Sequence, residues 1–323
     1  MTDETHVILV TGGAGFIGSH LAEALLRRDF DVLVLDNLST GRIDNIRNSF
    51  RNPRFHFVKG DIRRHSVVRT LVNKVDAIFH LAAIASPEMS LRQPEIVNEV
   101  NVGGTINVLR SSLRADVAKI VYASSCSLYG EIGRVPARED LPPNPKNPYA
   151  ASKLAGEQYC LAFCRSYGLK TVSLRYFNVF GERQMVGPYS GVVSIFTDRL
   201  LRGLQPTIFG DGKQTRDFIH VSDVVNANVK ALGSDKVSGQ AINVGTGIPT
   251  TIRSLYGMLS RIIKRCEVSP LHESPRSGDI RHSCADVTKA RKLMGFQMSM
   301  SLQGGLERFV NWYASENRQR LPL

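Results

Sequence analysis

The chain of 323 residues carries 41 Lys and Arg against 29 Asp and Glu, a formal net charge of +12 at pH 7. This length predicts two domains, or one domain with an added lobe. Apolar residues make up 42%, and no apolar run approaches the roughly 20 residues of a membrane span, so we expect no membrane partner. The basic residues are scattered rather than gathered in a tail, so we expect a small polyanionic substrate and no nucleic-acid partner.

The N-terminal residues and the cysteines bear on the cellular compartment. The polar, acidic start lacks the basic segment and cleavage site of a secretory signal. The five cysteines are odd in number and lack metal-ligand spacing. We therefore expect a cytoplasmic protein without a bound metal.

Short apolar runs alternate with amphipathic segments in the first half of the chain. Val7–Val10 is a continuous apolar run that ends at glycines, as a buried parallel strand does, and Phe16–Arg28 has the apolar spacing of a helix. Further strands are predicted at Val32–Leu35, Phe55–Lys59, Ala77–Leu81, Lys119–Ser124 and Thr171–Tyr176, and helices at Glu95–Leu113 and Tyr149–Tyr167. This alternation predicts an α/β fold with a doubly wound parallel sheet of the Rossmann type.

A glycine-rich loop joins the first predicted strand to the first predicted helix. Gly12, Gly15 and Gly18 have the spacing in which one glycine permits a positive φ and another lets the backbone approach a pyrophosphate. The third allows close packing of helix on strand, and the helix N-terminus favours the negative charge of the phosphates. The loop therefore predicts a dinucleotide site.

An acidic residue, Asp36, ends the second predicted strand. A carboxylate there accepts hydrogen bonds from both ribose hydroxyls of NAD and repels the 2′-phosphate of NADP, so we predict NAD as the cofactor. The alternative is a strand-end Asp that only caps a turn with Asn37. Asp61, after the third strand, suits the adenine end of the cofactor.

Tyr149 and Lys153 lie four residues apart, directly after Asn147 and Pro148, which are suited to the N-cap and the first helical position. The two side chains share one helix face. A nearby ammonium group lowers the pKa of a phenol, so the pair is predicted to be a tuned acid and base. Hydroxyl residues at 124–130 follow a strand and are placed to bond a substrate oxygen beside the tyrosine.

The pattern changes after Asn178, where loop residues cluster and only short strands are indicated. Ile242–Val244 is expected to return to the main sheet. We predict an NAD-binding domain over residues 1–178, with 218–246 returning to it. Residues 179–217 and 247–323 are predicted to form a smaller substrate-binding lobe.

Taken together, the chain resembles the extended short-chain dehydrogenases/reductases, most closely the UDP-glucose and UDP-N-acetylglucosamine 4-epimerases. Many segments carry this resemblance in the same order: Thr11–His20, Asp36–Gly41, Gly60–Ile62, Phe79–Ala83, Asn101–Thr105, Ser124–Gly130, Pro148–Glu157, Arg175–Gly181, Phe209–Asp223, Asn243–Gly247 and Arg276–Asp286. The resemblance implies a homodimer packed through helices, among them the one bearing Tyr149, and a lobe that binds a nucleotide sugar.

The resemblance also implies roles for individual residues. The catalytic residues would be Tyr149, Lys153 and Ser125. The residues that bind NAD would be Gly12, Gly15, Phe16, Ile17, Gly18, Asp36, Asn37, Asp61, Ile62, Ala82, Asn101, Tyr149 and Lys153. The residues that contact the UDP-sugar would be Ser125, Asn178, Phe209, Arg216, Arg276, Asp279 and Ser283, with the arginines suited to phosphates.

The implied reaction is a 4-epimerisation. Tyr149 takes the proton of the sugar 4-hydroxyl while NAD takes the hydride from C4, and the hydride returns to the other face of the 4-keto sugar. The alternatives are a nucleotide-sugar dehydratase, a UDP-glucuronate epimerase or a silent NAD-binding regulator. Cys126-Ser127 stands where dehydratases carry Asp-Glu, whereas Arg183 could hold a C6 carboxylate. Ser283 is small where a tyrosine would exclude an N-acetyl group, so we expect both glucose and N-acetyl forms to be accepted.

Overall fold

The computed structural model describes residues 6–133, 136–184, 187, 191–275 and 280–317. Its strands are β1 Val7–Thr11, β2 Asp31–Asp36, β3 Phe55–Lys59, β4 Ala77–His80, β5 Lys119–Ser125, β6 Thr171–Tyr176, β7 Asn178–Phe180, β8 Thr207–Phe209, β9 Thr215–His220, β10 Gln240–Val244, β11 Pro249–Thr251 and β12 Leu271–Glu273. Its helices are α1 Phe16–Leu26, α2 Ile43–Ile46, α3 His65–Val72, α4 Pro87–Arg92, α5 Pro94–Asn98, α6 Gly104–Arg114, α7 Pro148–Tyr167, α8 Val192–Leu201, α9 Val221–Gly233, α10 Ile252–Ile263, α11 Thr288–Met294 and α12 Leu302–Glu316.

Seven parallel strands form the central sheet in the order β10-β6-β5-β4-β1-β2-β3. Because side chains alternate along a strand, Ile8 and Val10 of β1 enter one hydrophobic core and Leu9 enters the core on the opposite face. Burial on both faces explains why these strands read as continuous apolar runs. The structure confirms the predicted doubly wound parallel sheet.

The predicted helix over Glu95–Leu113 is divided in the structure. Pro94 opens α5, a π-helical turn spans Glu99–Gly103, and α6 follows at Gly104. Such π turns are often found at functional sites because they redirect a side chain without ending the helix. This one contains Asn101, whose side chain is buried.

The second half of the chain builds a smaller layer beside the central sheet. A three-stranded sheet has the order β11-β9-β7, and β12 pairs with β8. These elements and helices α8, α10 and α12 enclose a separate apolar core that includes Phe196, Leu255 and Phe309. β10 joins the central sheet beside β6, and the domain boundaries given above stay a prediction. No helix in the described ranges combines the length and hydropathy of a membrane span.

Candidate active site

Two elements, the carboxyl end of the interior strand β5 and the start of α7, carry the catalytic candidates. β5 ends at Ser125 and runs into a 3₁₀ turn at Cys126–Tyr129, while α7 begins beside it. Asn147 caps α7, its side-chain oxygen accepting from the Ala150 amide at 2.9 Å, and Pro148 follows in the first turn. Tyr149 is thereby fixed in the first turn of the helix.

The Ser125 hydroxyl accepts from the Ser127 amide at 3.2 Å and pairs with the Ser127 hydroxyl at 2.9 Å. Burial raises the pKa of the Tyr149 phenol to about 12, and the nearby Ser125 side chain opposes this rise. Burial also lowers the pKa of the Lys153 ammonium to about 8. The Lys153 ammonium lies over the ring of Tyr122, 4.8 Å from its centroid, and burial has the largest effect on the pKa of Tyr149, so a lowering of that pKa by Lys153 stays a prediction.

His80 connects the glycine loop to the π turn. Its Nδ1 lies 2.7 Å from the Thr11 hydroxyl and its Nε2 2.9 Å from the Thr105 hydroxyl. The Thr105 hydroxyl donates to the Asn101 carbonyl oxygen at 2.6 Å, so Nε2 donates to Thr105 and Nδ1 accepts from Thr11. Burial, with the charge of Lys153, lowers the pKa of His80 to about 3 and keeps it neutral.

We expect the free energy of unfolding to fall as the pH drops from about 6.5 toward 4. Burial lowers the pKa of His80 to about 3 and that of His20 to about 4. The unfolded chain binds protons at these histidines in that range while the folded chain does not, at about 1 kcal/mol per histidine per pH unit. Urea unfolding across this range measures the slope, and His20→Gln should remove about half of the histidine contribution. An unchanged slope in His20→Gln contradicts the prediction.

The glycine loop has the geometry of a phosphate cradle. Gly12 has a φ of +71°, and a Cβ there would lie 2.8 Å from the backbone nitrogen of Ala82. A Cβ at Gly18 would lie 2.2 Å from the Gly12 carbonyl oxygen. Gly15 is the N-cap of α1 and no side chain caps the helix, so the amides of its first turn, Phe16, Ile17 and Gly18, are suited to bond a pyrophosphate. These residues fit a dinucleotide.

Asp36, Asn37 and Asp61 meet at the carboxyl ends of β2 and β3. The buried Asp36 carboxylate accepts from the Ala14 amide at 3.0 Å and from the Leu38 amide at 2.8 Å. It therefore does cap the turn, and its oxygens retain lone pairs for a ribose. The Asn37 amide donates to Asp61 at 3.1 Å. Hydrogen bonds from Arg63 lower the pKa of Asp61 to about 2.

Asp36→Asn should weaken NAD binding by roughly 10- to 100-fold, because one charge-assisted acceptor becomes a donor. NADP should lose less affinity, since the repulsion of its 2′-phosphate is removed at the same time. Calorimetric titration of both cofactors measures the ratio. Equal losses for NAD and NADP would contradict the ribose role of Asp36.

The remaining cofactor candidates lie around the same loop. Ala82 follows β4, and its amide donates to the Thr11 hydroxyl at 3.2 Å. Ile62 is buried against α6, where a Cβ at Gly104 would come within 2.4 Å of it. The Asn101 side chain bonds both backbone groups of Ile84 and donates to the Ser152 hydroxyl at 2.9 Å. Asn101 thus ties the π turn to α7.

Ser283 and Arg216 are substrate candidates that lie near the end of β5. Cys126 directly follows Ser125. Burial raises the pKa of the Cys126 thiol to about 12, and the nearby Ser283 side chain and Arg216 charge oppose this rise. Ser283 is buried, and its amide donates to the Thr215 carbonyl oxygen at 3.1 Å.

Two candidates are held by the smaller layer. Asn178 begins β7, and its side chain donates to the Asp217 carbonyl oxygen at 3.3 Å. Phe209 ends β8 and is partly buried. Arg276 and Asp279 lie outside the described residues.

Arg183, in the loop after β7, forms an ion pair with Glu23 of α1 through Nη2, and both side chains are partly buried. Its other terminal nitrogen, Nη1, is buried and has no hydrogen-bond partner among the described residues. The suggestion that Arg183 could hold a C6 carboxylate therefore stays a prediction.

Asp217 was not among the sequence candidates, although it is fully buried beside them. Its carboxylate accepts from the amides of Thr246, Gly247 and Ala285 and from the Thr246 hydroxyl, at 2.6–3.0 Å. It joins β9 to the segment bearing Ser283. The signal that could have revealed it is an acidic residue within an apolar strand, which must have partners.

Comparison with known proteins identifies the family of the chain. Residues 8–245 match the NAD dependent epimerase/dehydratase family. A putative UDP-glucose 4-epimerase of Methanocaldococcus jannaschii is 41% identical over 315 residues, 97% of this chain and 100% of that protein.

Two solved structures are also similar. A UDP-glucose 4-epimerase of Thermotoga maritima with UDP-glucose is 38% identical, with a TM-score of 0.91, and the match covers 96% of this chain and 99% of that one. A UDP-N-acetylglucosamine 4-epimerase of Methanobrevibacter ruminantium in complex with UDP-N-acetylmuramic acid is 35% identical, with a TM-score of 0.92, covering 97% and 99%. The match to the family over most of the chain, together with these relatives, shows that the chain belongs to the NAD dependent epimerase/dehydratase family, and NAD is its cofactor.

Proposed function

We propose that this protein is an isomerase that catalyses the NAD-dependent 4-epimerisation of a UDP-hexose through a transient 4-keto sugar. The observation that carries the proposal is that Tyr149, in the first turn of α7, lies near Ser125 at the end of β5, with Lys153 one turn further along the helix. The relatives named as UDP-sugar 4-epimerases, similar over nearly the whole chain, support it.

Each catalytic side chain has a distinct task in this proposal. When bound, NAD supplies a hydride acceptor and a positive charge near the phenol. Tyr149 accepts the proton of the sugar 4-hydroxyl at its phenol oxygen and later returns it. Ser125 orients that hydroxyl, and the buried Lys153 holds the cofactor ribose and keeps a positive charge near the site. With the pKa of Tyr149 at about 12 in the free site, proton transfer requires the charges that arrive with the ligands.

The cofactor and substrate roles of the other residues are part of the same proposal. Gly12, Gly15 and the first turn of α1 hold the pyrophosphate, and Asp36 holds the adenosine ribose. Arg216 and Asn178 bind the UDP phosphates from β9 and β7. Phe209 lies near the uracil. The family resemblance is the basis for two further proposed contacts, that of Arg276 with a UDP phosphate and that of Asp279 with the uridine ribose.

The sugar accepted depends on the wall opposite Tyr149. Ser283 and Cys126 are small side chains near each other there, which leaves room for an N-acetyl group. The protein therefore converts both UDP-glucose/UDP-galactose and the N-acetyl forms. Ser283→Tyr should lower turnover of the N-acetyl substrate far more than that of UDP-galactose, and an unchanged ratio would refute this role.

No observation favours the other reactions that the sequence left open. A dehydratase needs a carboxylic acid after Ser125, where Cys126 stands with its pKa raised to about 12 by burial. A UDP-glucuronate epimerase needs a cation for the C6 carboxylate, and Arg183 is paired with Glu23. A silent NAD-binding regulator does not need Tyr149, Lys153 and Ser125 together.

The deciding experiment offers the purified protein UDP-galactose or UDP-N-acetylgalactosamine, each with NAD, and quantifies the C4 epimers by chromatography. Conversion of either substrate supports the proposal, and the ratio of rates gives the preference of the pocket. Conversion of neither refutes a 4-epimerase. UDP-glucuronate and keto-sugar products are then measured in the same samples.

The quaternary structure and location belong to the same proposal. Leu91 and Ile96, on α4 and α5, are 68% and 38% exposed, and Tyr159 on α7 is 41% exposed. This apolar surface supports a homodimer packed through these helices, and a monomer in sedimentation equilibrium would contradict it. All five cysteines are free, which supports a cytoplasmic location, and cell fractionation tests it.

A further inference from the structure

A buried ion pair links the catalytic helix to the central sheet. Arg175 of β6 donates to Glu157 of α7 from Nη2 at 2.6 Å and from Nε at 3.1 Å. Both side chains are at most 5% exposed. Glu157 lies two helical turns beyond Tyr149 and one turn beyond Lys153, so the three residues share one face of α7. The ion pair therefore bonds this face of α7 to β6.

The same pair also contacts the end of β5 and the 3₁₀ turn at Cys126–Tyr129 that follows it. Ser124, directly before Ser125, donates from its hydroxyl to Glu157 Oε2 at 2.7 Å. Tyr129, at the end of the turn, accepts at its hydroxyl from Arg175 Nη1 at 2.7 Å. One ion pair therefore bonds residues on both sides of Ser125.

Tyr129 extends these bonds toward the substrate wall. Its hydroxyl donates to Asn243 Oδ1 at 2.7 Å, and Asn243 Nδ2 donates to the carbonyl oxygens of Ala137 and Asp286. Ala137 in turn pairs with the strand-like segment at 284–286, directly after Ser283. The Tyr129 hydroxyl thus connects the 3₁₀ turn that follows Ser125 with the segment at 284–286 that follows Ser283.

Stability alone does not account for an ion pair in this place. The desolvation of two buried charges offsets most of their attraction, so apolar side chains of similar volume stabilise a core as well. Fixed polar bonds do differ from apolar packing in one respect, because they set the distances between the elements they join.

We propose that Tyr129 is a positioning residue, which acts through Arg175 and Glu157 to hold the end of β5 at Ser125 against α7 beside Tyr149 and acts through Asn243 to hold the segment of Ser283. The proposal rests on the 4-epimerase function given above. It assigns Tyr129 no contact with the substrate. Its hydroxyl contributes to turnover through the geometry of the site.

Tyr129→Phe tests this proposal against Tyr176→Phe. Tyr176 follows Arg175 in β6, is equally buried, and donates from its hydroxyl to Asn228 of α9 at 2.8 Å. Both substitutions remove one buried hydroxyl and keep the ring, but the bond of Tyr176 leads away from the site. The measurements are kcat, KM, the affinity for UDP and the melting temperature of each variant.

We expect Tyr129→Phe to lower kcat about 10- to 100-fold, because displacement of a reacting group by about 1 Å can cost a factor of 100. KM and UDP affinity should change by less than about 3-fold, and kcat of Tyr176→Phe should stay within about 2-fold of the unsubstituted protein. Equal kcat values in the two variants would overturn the proposal. If the unsubstituted protein shows no epimerase activity, the proposed function itself is refuted instead.

Ser124→Ala provides a second test should Tyr129→Phe fail to fold. This substitution removes the Ser124 hydroxyl, which donates to Glu157 Oε2, and puts a small apolar side chain in its place. A fall in kcat at an unchanged UDP affinity supports the proposal. A Ser124→Ala protein with the kcat of the unsubstituted protein, beside a Tyr129→Phe protein that does not fold, refutes it.

Discussion

Tyr149→Phe should lower epimerisation by roughly 10³-fold or more, because the substitution removes the only group that the account assigns to proton transfer. Phe keeps the ring in the same partly buried site and loses only the phenol hydroxyl. We therefore expect the melting temperature and NAD affinity to change little. Initial rates with UDP-galactose, together with NAD titration, measure both effects.

Tyr159→Phe is the matched control for this substitution. Tyr159 lies on the same helix and is 41% exposed, so removal of its hydroxyl should leave the rate unchanged. If Tyr149→Phe retains more than about a tenth of the activity, another group transfers the proton and the catalytic assignment fails.

Gly18→Ala should abolish NAD binding and destabilise the fold by about 3 kcal/mol. The new Cβ would lie 2.2 Å from the carbonyl oxygen of Gly12 and 2.8 Å from the Cα of Gly13. These are backbone atoms, so the glycine loop itself must move. Its displacement removes the close approach that a pyrophosphate needs. Urea unfolding and calorimetric titration with NAD measure the two losses.

Gly103→Ala separates this effect from the general cost of replacing a helical glycine. A Cβ at Gly103 meets no atom within 4 Å, and its backbone is helical. Alanine there should stabilise the protein by about 0.5–1 kcal/mol and leave NAD binding intact. A Gly18→Ala protein that binds NAD normally would show that the loop does not cradle the cofactor.

The parts of the fold that follow local rules could be predicted from the sequence. The buried parallel strands read as apolar runs, and the cap of α7 followed from Asn147 and Pro148. The division of the helix around Glu99–Gly103 could not, because a π turn depends on the tertiary bonds of Asn101.

The pKa shifts and charge contacts of the site could not be predicted from the sequence either. Spacing along a helix indicated that Tyr149 and Lys153 share a face, but not that the ammonium of Lys153 lies over the ring of Tyr122. Burial is a property of the whole fold, and it raises the pKa of Tyr149 where the pair alone suggested a lower value. For the same reason Arg183 was interpreted as a free cation, whereas packing of the loop on α1 pairs it with Glu23.

The central claim is tested most directly by proton NMR of the purified protein with NAD and UDP-glucose in deuterated water. We predict that UDP-galactose accumulates to the same ratio from either direction and keeps its protium at C4, because a hydride carried by a bound cofactor does not exchange with solvent. Deuterium at C4 of the product, or no UDP-galactose at all, would contradict the account.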